Sequence, residues 1–170
     1  MKPAKIALMG GLGYPVTETQ AGMPTLKTRL EALGATVLLT SWDARQAVYD
    51  FLKGFDGFRA LCGDSLGAGS AAQYAGDQRG QIDFVGGFQP SMDDNRTNSD
   101  GTQTVAANCV RAHCIYNPSW IMTLGLGQAH WVPAHGAKTA VSNTVHYGFH
   151  PDDWGVAQDI VFNDIKGLLS

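Results

Sequence analysis

The chain has 170 residues, of which 44% are hydrophobic and 16% are charged, and its formal net charge is −3. This length and composition are typical of one globular domain whose core is stable without disulfides or a structural metal. The small negative charge gives no electrostatic basis for binding nucleic acid or an anionic membrane surface. We therefore expect a single domain over residues 1–170, without a separate lid domain.

The cysteine pattern indicates reduced thiols. Cys62, Cys109 and Cys114 are odd in number and have neither C-x-x-C nor zinc-site spacing. The apolar run near the N-terminus is too short for a signal peptide, and no segment reaches the length of a membrane span. We expect a cytoplasmic protein, with a phage particle as the alternative location, and we expect no metal or organic cofactor.

Strand and helix signals alternate through the first half of the chain. Apolar residues recur at three- and four-residue steps in the helical stretches and form short continuous runs in the strands. The predicted elements are a strand Lys5–Met9, a helix Gly22–Leu33, a strand Ala35–Thr40 and a helix ending near Lys53. Ser41 or Asp43 is the expected cap of the second helix, because both side chains can accept a backbone hydrogen bond.

The second half continues this alternation after a polar interruption. The predicted elements are a strand Gln81–Phe88, a polar loop Ser91–Thr104, a strand Val110–Tyr116, a glycine-broken segment Ile121–Thr144 with a hairpin or sixth strand, a last strand Thr139–Val145 and a helix from about Asp153 to Leu169. Short connections between strands and helices predict an α/β fold. The expected architecture is a three-layer sandwich around a mainly parallel sheet of five to six strands.

One motif carries specific chemistry. An apolar run from Phe58 ends in Gly63-Asp64-Ser65-Leu66-Gly67, and small residues follow at once. Strand, Gly-x-Ser-x-Gly turn and helix are the context of the nucleophile elbow, which exposes a serine hydroxyl on a strained turn. Glycine is expected at 63 and 67 because side chains there would collide with the neighbouring strand and helix. The N–H of Leu66 would point at an oxyanion forming beside Ser65.

A serine nucleophile needs an imidazole to accept its proton. All five histidines follow Ser65, and His146 and His150 lie between the last strand and the final helix, where an elbow hydrolase places its base. Either of them fits this role. His113 lies inside a strand and is expected to be a core histidine with satisfied hydrogen bonds.

Several residues could orient the imidazole, and the sequence does not decide between them. Asp93 or Asp94, after the fourth strand, could supply a carboxylate. Gln89 or Asn117 could instead act as a neutral acceptor, as asparagine does in some cysteine proteases.

The second oxyanion donor is expected from the glycine-rich loop after the first strand, most plausibly the N–H of Leu12. Glycines in such a loop also bind phosphates. However, the stretch from Gly10 to Pro15 lacks the third glycine of a dinucleotide fingerprint and the Lys-Ser/Thr of a P-loop.

With these features the chain resembles a small, lidless α/β-hydrolase of the lipase, esterase and cutinase type, in short bacterial or phage-associated forms that lack the first two strands. The resemblance implies Ser65 as nucleophile, Leu12 and Leu66 as oxyanion donors and His146 or His150 as base. The position of the family's acid falls on Gln89, which departs from the family pattern.

Gly-Asp-Ser-Leu is also similar to the serine block of the SGNH esterases. Those enzymes carry the block near the N-terminus and an Asp three residues before the histidine. Here two strand–helix units precede Ser65, and Asn143 and Tyr147 stand three residues before the two candidate histidines.

The expected function is that of a carboxylic-ester hydrolase acting on a small or surface-presented acyl ester. The alternative is a catalytically weak or inactive α/β-hydrolase-like module with a binding or structural role, for example as a component of a phage particle.

Overall fold

The computed structural model of the protein describes residues 2–11, 22–90, 98, 100–116, 130–146 and 151–170, with side chains of the last range described from residue 155. Its strands are β1 (Ala4–Gly10), β2 (Thr36–Ser41), β3 (Phe58–Asp64), β4 (Ile82–Phe88), β5 (Thr102–Val105), β6 (Cys109–Tyr116), β7 (His130–Pro133) and β8 (Ala140–Val145). Its helices are α1 (Met23–Ala32), α2 (Arg45–Leu52), α3 (Leu66–Ala75) and α4 (Pro151–Leu169).

Six strands form one parallel sheet in the order β2-β1-β3-β4-β6-β8. Helices α1 and α4 pack against one face and α2 and α3 against the other, which gives two apolar cores and three layers. Because both faces are covered, the central strand β3 is apolar from Ala60 to Cys62, with Leu61 buried on one side of the sheet and Cys62 on the other. The α/β fold class, the three layers and the parallel six-stranded sheet predicted from the sequence are confirmed.

A small second sheet packs over the α3 side. Its strands β5 and β7 pair in parallel, so the predicted loop 91–104 ends in a strand rather than continuing to Thr104. Trp131 of β7 is fully buried and lies against Gly87, where an added Cβ would come within 2.5 Å of the indole ring. The side chain of Asn143 accepts from Trp131 N and donates to Trp131 O, each at 2.9 Å, and so fastens β7 to β8.

Two helix starts differ from the sequence-based expectation. Helix α4 begins at Pro151, two residues before Asp153, because proline fits the first helical turn, where no intrahelical donor is needed. Helix α2 begins at Arg45 after Ala44, without a side-chain cap. The expected caps were wrong: the Ser41 hydroxyl donates to the Asp43 carboxylate at 2.5 Å, so these two side chains bond each other.

Among the described residues, no helix is both long and apolar enough to cross a membrane.

Candidate active site

Ser65 is the single residue between the last residue of β3 and the first residue of α3, and its backbone conformation is φ 54°, ψ −120°. Residues other than glycine rarely adopt positive φ, and holding one there costs on the order of 1–3 kcal/mol. Two contacts fix the turn: Ser65 N donates to Phe88 O at 2.9 Å, and Ser65 O accepts from Ala68 N at 3.1 Å. The predicted strand, sharp turn and helix are therefore present, with the serine at the point of strain.

The glycines that flank Ser65 are required by close backbone contacts. A Cβ at Gly63 would lie 2.1 Å from the carbonyl oxygen of Gly67, and one at Gly67 would lie 2.0 Å from the carbonyl oxygen of Met9. Both obstacles are main-chain atoms of packed elements and cannot rotate away. The collisions that the sequence predicted for side chains at these two positions are confirmed.

The chain leaving β1 passes directly beside the serine. A Cβ at Gly11 would lie 2.8 Å from Ser65 Cβ and 3.3 Å from Ser65 Oγ. Leu66 opens α3, and the N–H groups of a first helical turn point out of the helix along its axis. One of the two expected oxyanion donors thus adjoins Ser65. Leu12, the other, lies outside the described residues and remains a prediction.

Three backbone hydrogen bonds align the carboxyl ends of neighbouring strands at one edge of the sheet. Besides the Ser65–Phe88 bond, Gln89 N donates to Ile115 O at 2.7 Å, and His146 N donates to Tyr116 O at 2.9 Å. Ser65, Gln89 and His146 therefore share the carboxyl edge of the sheet, above β3, β4 and β8. Neighbouring strands are about 4.8 Å apart, so the backbones of Ser65 and His146 are separated by three intervals, roughly 14 Å.

The remaining sequence candidates lie outside the described residues. These are the carboxylates Asp93 and Asp94, the amide Asn117 and the second histidine, His150. Gln89 is described: it directly follows the last residue of β4, has a positive φ of 47° and lies one strand from Ser65. The identities of the base and of its orienting group therefore stay predictions.

Asp64, for which no role was predicted, is buried beside Ser65. Its relative exposure is 7%. Burial raises the pKa of the carboxyl to about 7, against a smaller lowering by a hydrogen bond from the backbone of Ser65. A signal was available: Asp64 is the only acidic residue in β3 and follows a run that the fold buries on both faces.

Comparison with known proteins supports the fold. A crystal structure of a Xanthomonas campestris pv. campestris protein, classed by name alone as a hydrolase of the alpha/beta superfamily, matches with a TM-score of 0.55. The match covers 95% of this chain and 99% of that one at 16% sequence identity. No family model and no curated protein sequence matches the chain. At this identity the likeness shows a shared α/β fold.

Backbone strain at Ser65 predicts an inverted order of stability between two substitutions. We expect S65G to be more stable than S65A by about 1 kcal/mol, because glycine relieves the positive φ and this outweighs its greater flexibility when unfolded. Urea unfolding of both variants measures the difference. The matched pair S142A and S142G, at an exposed strand position, should show the ordinary order with alanine more stable. The same order at both positions would contradict the strained turn.

The buried Asp64 carboxyl predicts a pH-dependent stability. Between about pH 4 and pH 7 the folded chain keeps this proton while the unfolded chain loses it, so the free energy of unfolding falls as pH rises and levels off above pH 7. D64N has no such titration. We expect its stability relative to the wild type to increase by on the order of 2–4 kcal/mol across that window. Urea midpoints at several pH values test this; a constant difference would show that the carboxyl does not titrate there.

Proposed function

We propose that this chain is a serine hydrolase that cleaves carboxylic esters, with Ser65 as nucleophile. The observation that carries the proposal is the φ of 54° at Ser65, held between two glycines that no other residue can replace. Strain of this kind is retained where function needs it. The fold shared with the Xanthomonas protein agrees with this reaction class.

The reaction follows from the groups around Ser65. A histidine accepts the hydroxyl proton as Ser65 Oγ attacks the acyl carbon, and the N–H groups of Leu66 and Leu12 hold the tetrahedral oxyanion. Collapse of this intermediate breaks the ester C–O bond, and the imidazolium gives its proton to the departing alcohol. Water then attacks the acyl-enzyme while the same histidine takes its proton. The bond between the acyl carbon and Ser65 Oγ breaks, the acid is released, and the imidazolium returns the proton to Ser65 Oγ.

We infer that His150 is the base. The backbone of His146 is held on the β6–β8 ladder by its bond to Tyr116 O, roughly 14 Å from Ser65. An imidazole extends only about a third of that distance from its own Cα, so His146 supports direct proton transfer poorly. His150 comes four residues later in the sequence, between β8 and α4. Asp93, after β4, is the proposed orienting carboxylate, with Gln89 as the neutral alternative.

We propose small or surface-presented acyl esters as the substrates of this site. The chemistry proposed for Ser65 uses side chains and backbone N–H groups alone.

The first experiment asks whether Ser65 reacts. A fluorophosphonate probe should label the wild type at Ser65, and a short p-nitrophenyl ester should be turned over. S65A is the control and should lose both reactions while keeping its fold. A wild type that is folded, unlabelled and inactive would contradict the enzyme and favour the binding or structural module.

The second experiment identifies the base. H150A should lower kcat for the p-nitrophenyl ester by about 10²- to 10⁴-fold, the usual contribution of a general base. H146A is the matched control and should keep kcat within about tenfold of the wild type. The reverse result would assign the base to His146.

A further inference from the structure

His113 of β6 joins two elements that are distant in sequence. Its Nδ1 lies 2.6 Å from Asp164 Oδ2 on α4, and its Nε2 lies 2.8 Å from Thr144 Oγ1 on β8. The side chain of His113 is 15% exposed and that of Asp164 is 29% exposed, so the trio lies largely within the layer between sheet and helix. As the sequence predicted, both ring nitrogens of this strand histidine are satisfied.

The chemistry of the three groups restricts the hydrogen-bond directions. A carboxylate oxygen accepts, so Nδ1–H of His113 donates to Asp164. In the neutral tautomer with its proton on Nδ1, Nε2 accepts a hydrogen bond from the Thr144 hydroxyl. Both bonds thus suit one tautomer, and charge on the carboxylate strengthens the bond to Asp164. A single imidazole therefore holds β8 and α4 at a defined distance from β6.

The bridge that His113 forms with Thr144 and Asp164 lies close in sequence to both candidate bases. Thr144 is two residues before His146, and α4 begins at Pro151, directly after His150. The segment 146–150 is therefore flanked by two elements that the same imidazole fixes. Thr144 is next to the last residue of β8 and pairs in register with Ile115, so its hydroxyl anchors the strand close to where the segment leaves it.

We propose that His113 is a positioning residue for the catalytic base: through Thr144 and Asp164 it fixes both elements that flank the segment carrying His146 and His150. This inference rests on the proposed function but not on which of the two histidines is the base. A shift of about 1 Å in a reacting group can lower a rate about a hundredfold, so an anchor of this kind has a kinetic effect without contacting substrate.

The trio has the same order of groups as a hydroxyl–imidazole–carboxylate catalytic relay. Thr144, however, lies within β8 on a ladder with β6 and has no positive φ, in contrast to Ser65 on its strained turn. Its secondary hydroxyl therefore anchors the strand rather than attacking a substrate.

The test uses two nearly isosteric substitutions in the full chain. T144V removes the hydroxyl and keeps the β-branched shape, and D164N removes the charge on α4. We expect each to lower kcat for a short p-nitrophenyl ester by about ten- to a hundredfold with KM within about twofold. D159N is the matched control: it breaks the surface ion pair Arg29–Asp159 between α1 and α4, 2.7 Å long, and should leave kcat unchanged.

A double-mutant cycle separates positioning from general stability. In a background that lacks the base, H150A or H146A as the preceding experiment decides, T144V should cause no further loss, because there is no base left to misplace. Three results would overturn the proposal. The first is an equal loss of kcat on adding T144V in that background, and the second is a T144V variant with a lower urea midpoint but unchanged kcat. The third is fluorophosphonate labelling of Thr144 in S65A. An unreactive wild type would remove the proposed function itself, and the positioning role with it.

Discussion

Three main-chain segments meet around Ser65 at distances that leave no room for side chains. The end of β1 lies against Gly67, the start of α3 lies against Gly63, and Gly11 passes beside the Ser65 hydroxyl. Because these contacts are between backbones, they fix the spacing of the central strands, the starting point of α3 and the direction of the serine together. A shift in any one of them would move the Ser65 hydroxyl relative to the first turn of α3. The geometry of the site is therefore a property of the sheet itself.

The strand order places complementary parts of the site on opposite sides of β3. Gly11, which follows β1, lies on one side, and β4, β6 and β8 with Gln89 and His146 lie on the other. In the proposed mechanism only the base has to cross several strands, so its position depends on connections outside the sheet. The proposed role of the bridge between β6, β8 and α4 in a reaction at β3 follows from this arrangement. So does the proposal of a histidine beyond β8, rather than the one held on its ladder, as the base.

Local signals carried most of what the sequence predicted. The apolar runs and helical spacing located the strands and helices, and Gly63 and Gly67 defined the elbow, because each depends on neighbours within a few residues. Features that depend on contacts between distant segments were missed. The pairing of β5 with β7 and the bridge from His113 to Asp164 both join residues that only the folded sheet brings together. The prediction of a helix cap was wrong for a different reason: the side chains of Ser41 and Asp43 form a hydrogen bond with each other.

The amide of Asn143 also bears on association between molecules. A two-stranded sheet is marginally stable alone and leaves unpaired N–H and C=O groups that recruit strands from other chains. The backbone N–H and C=O of Trp131 both form hydrogen bonds with the Asn143 side chain, as they would with the backbone of a neighbouring strand. Only an amide can both accept and donate in this way; a carboxylate would leave the Trp131 carbonyl without its donor. One side chain of the main sheet thus protects the smaller sheet from unwanted strand addition at this point.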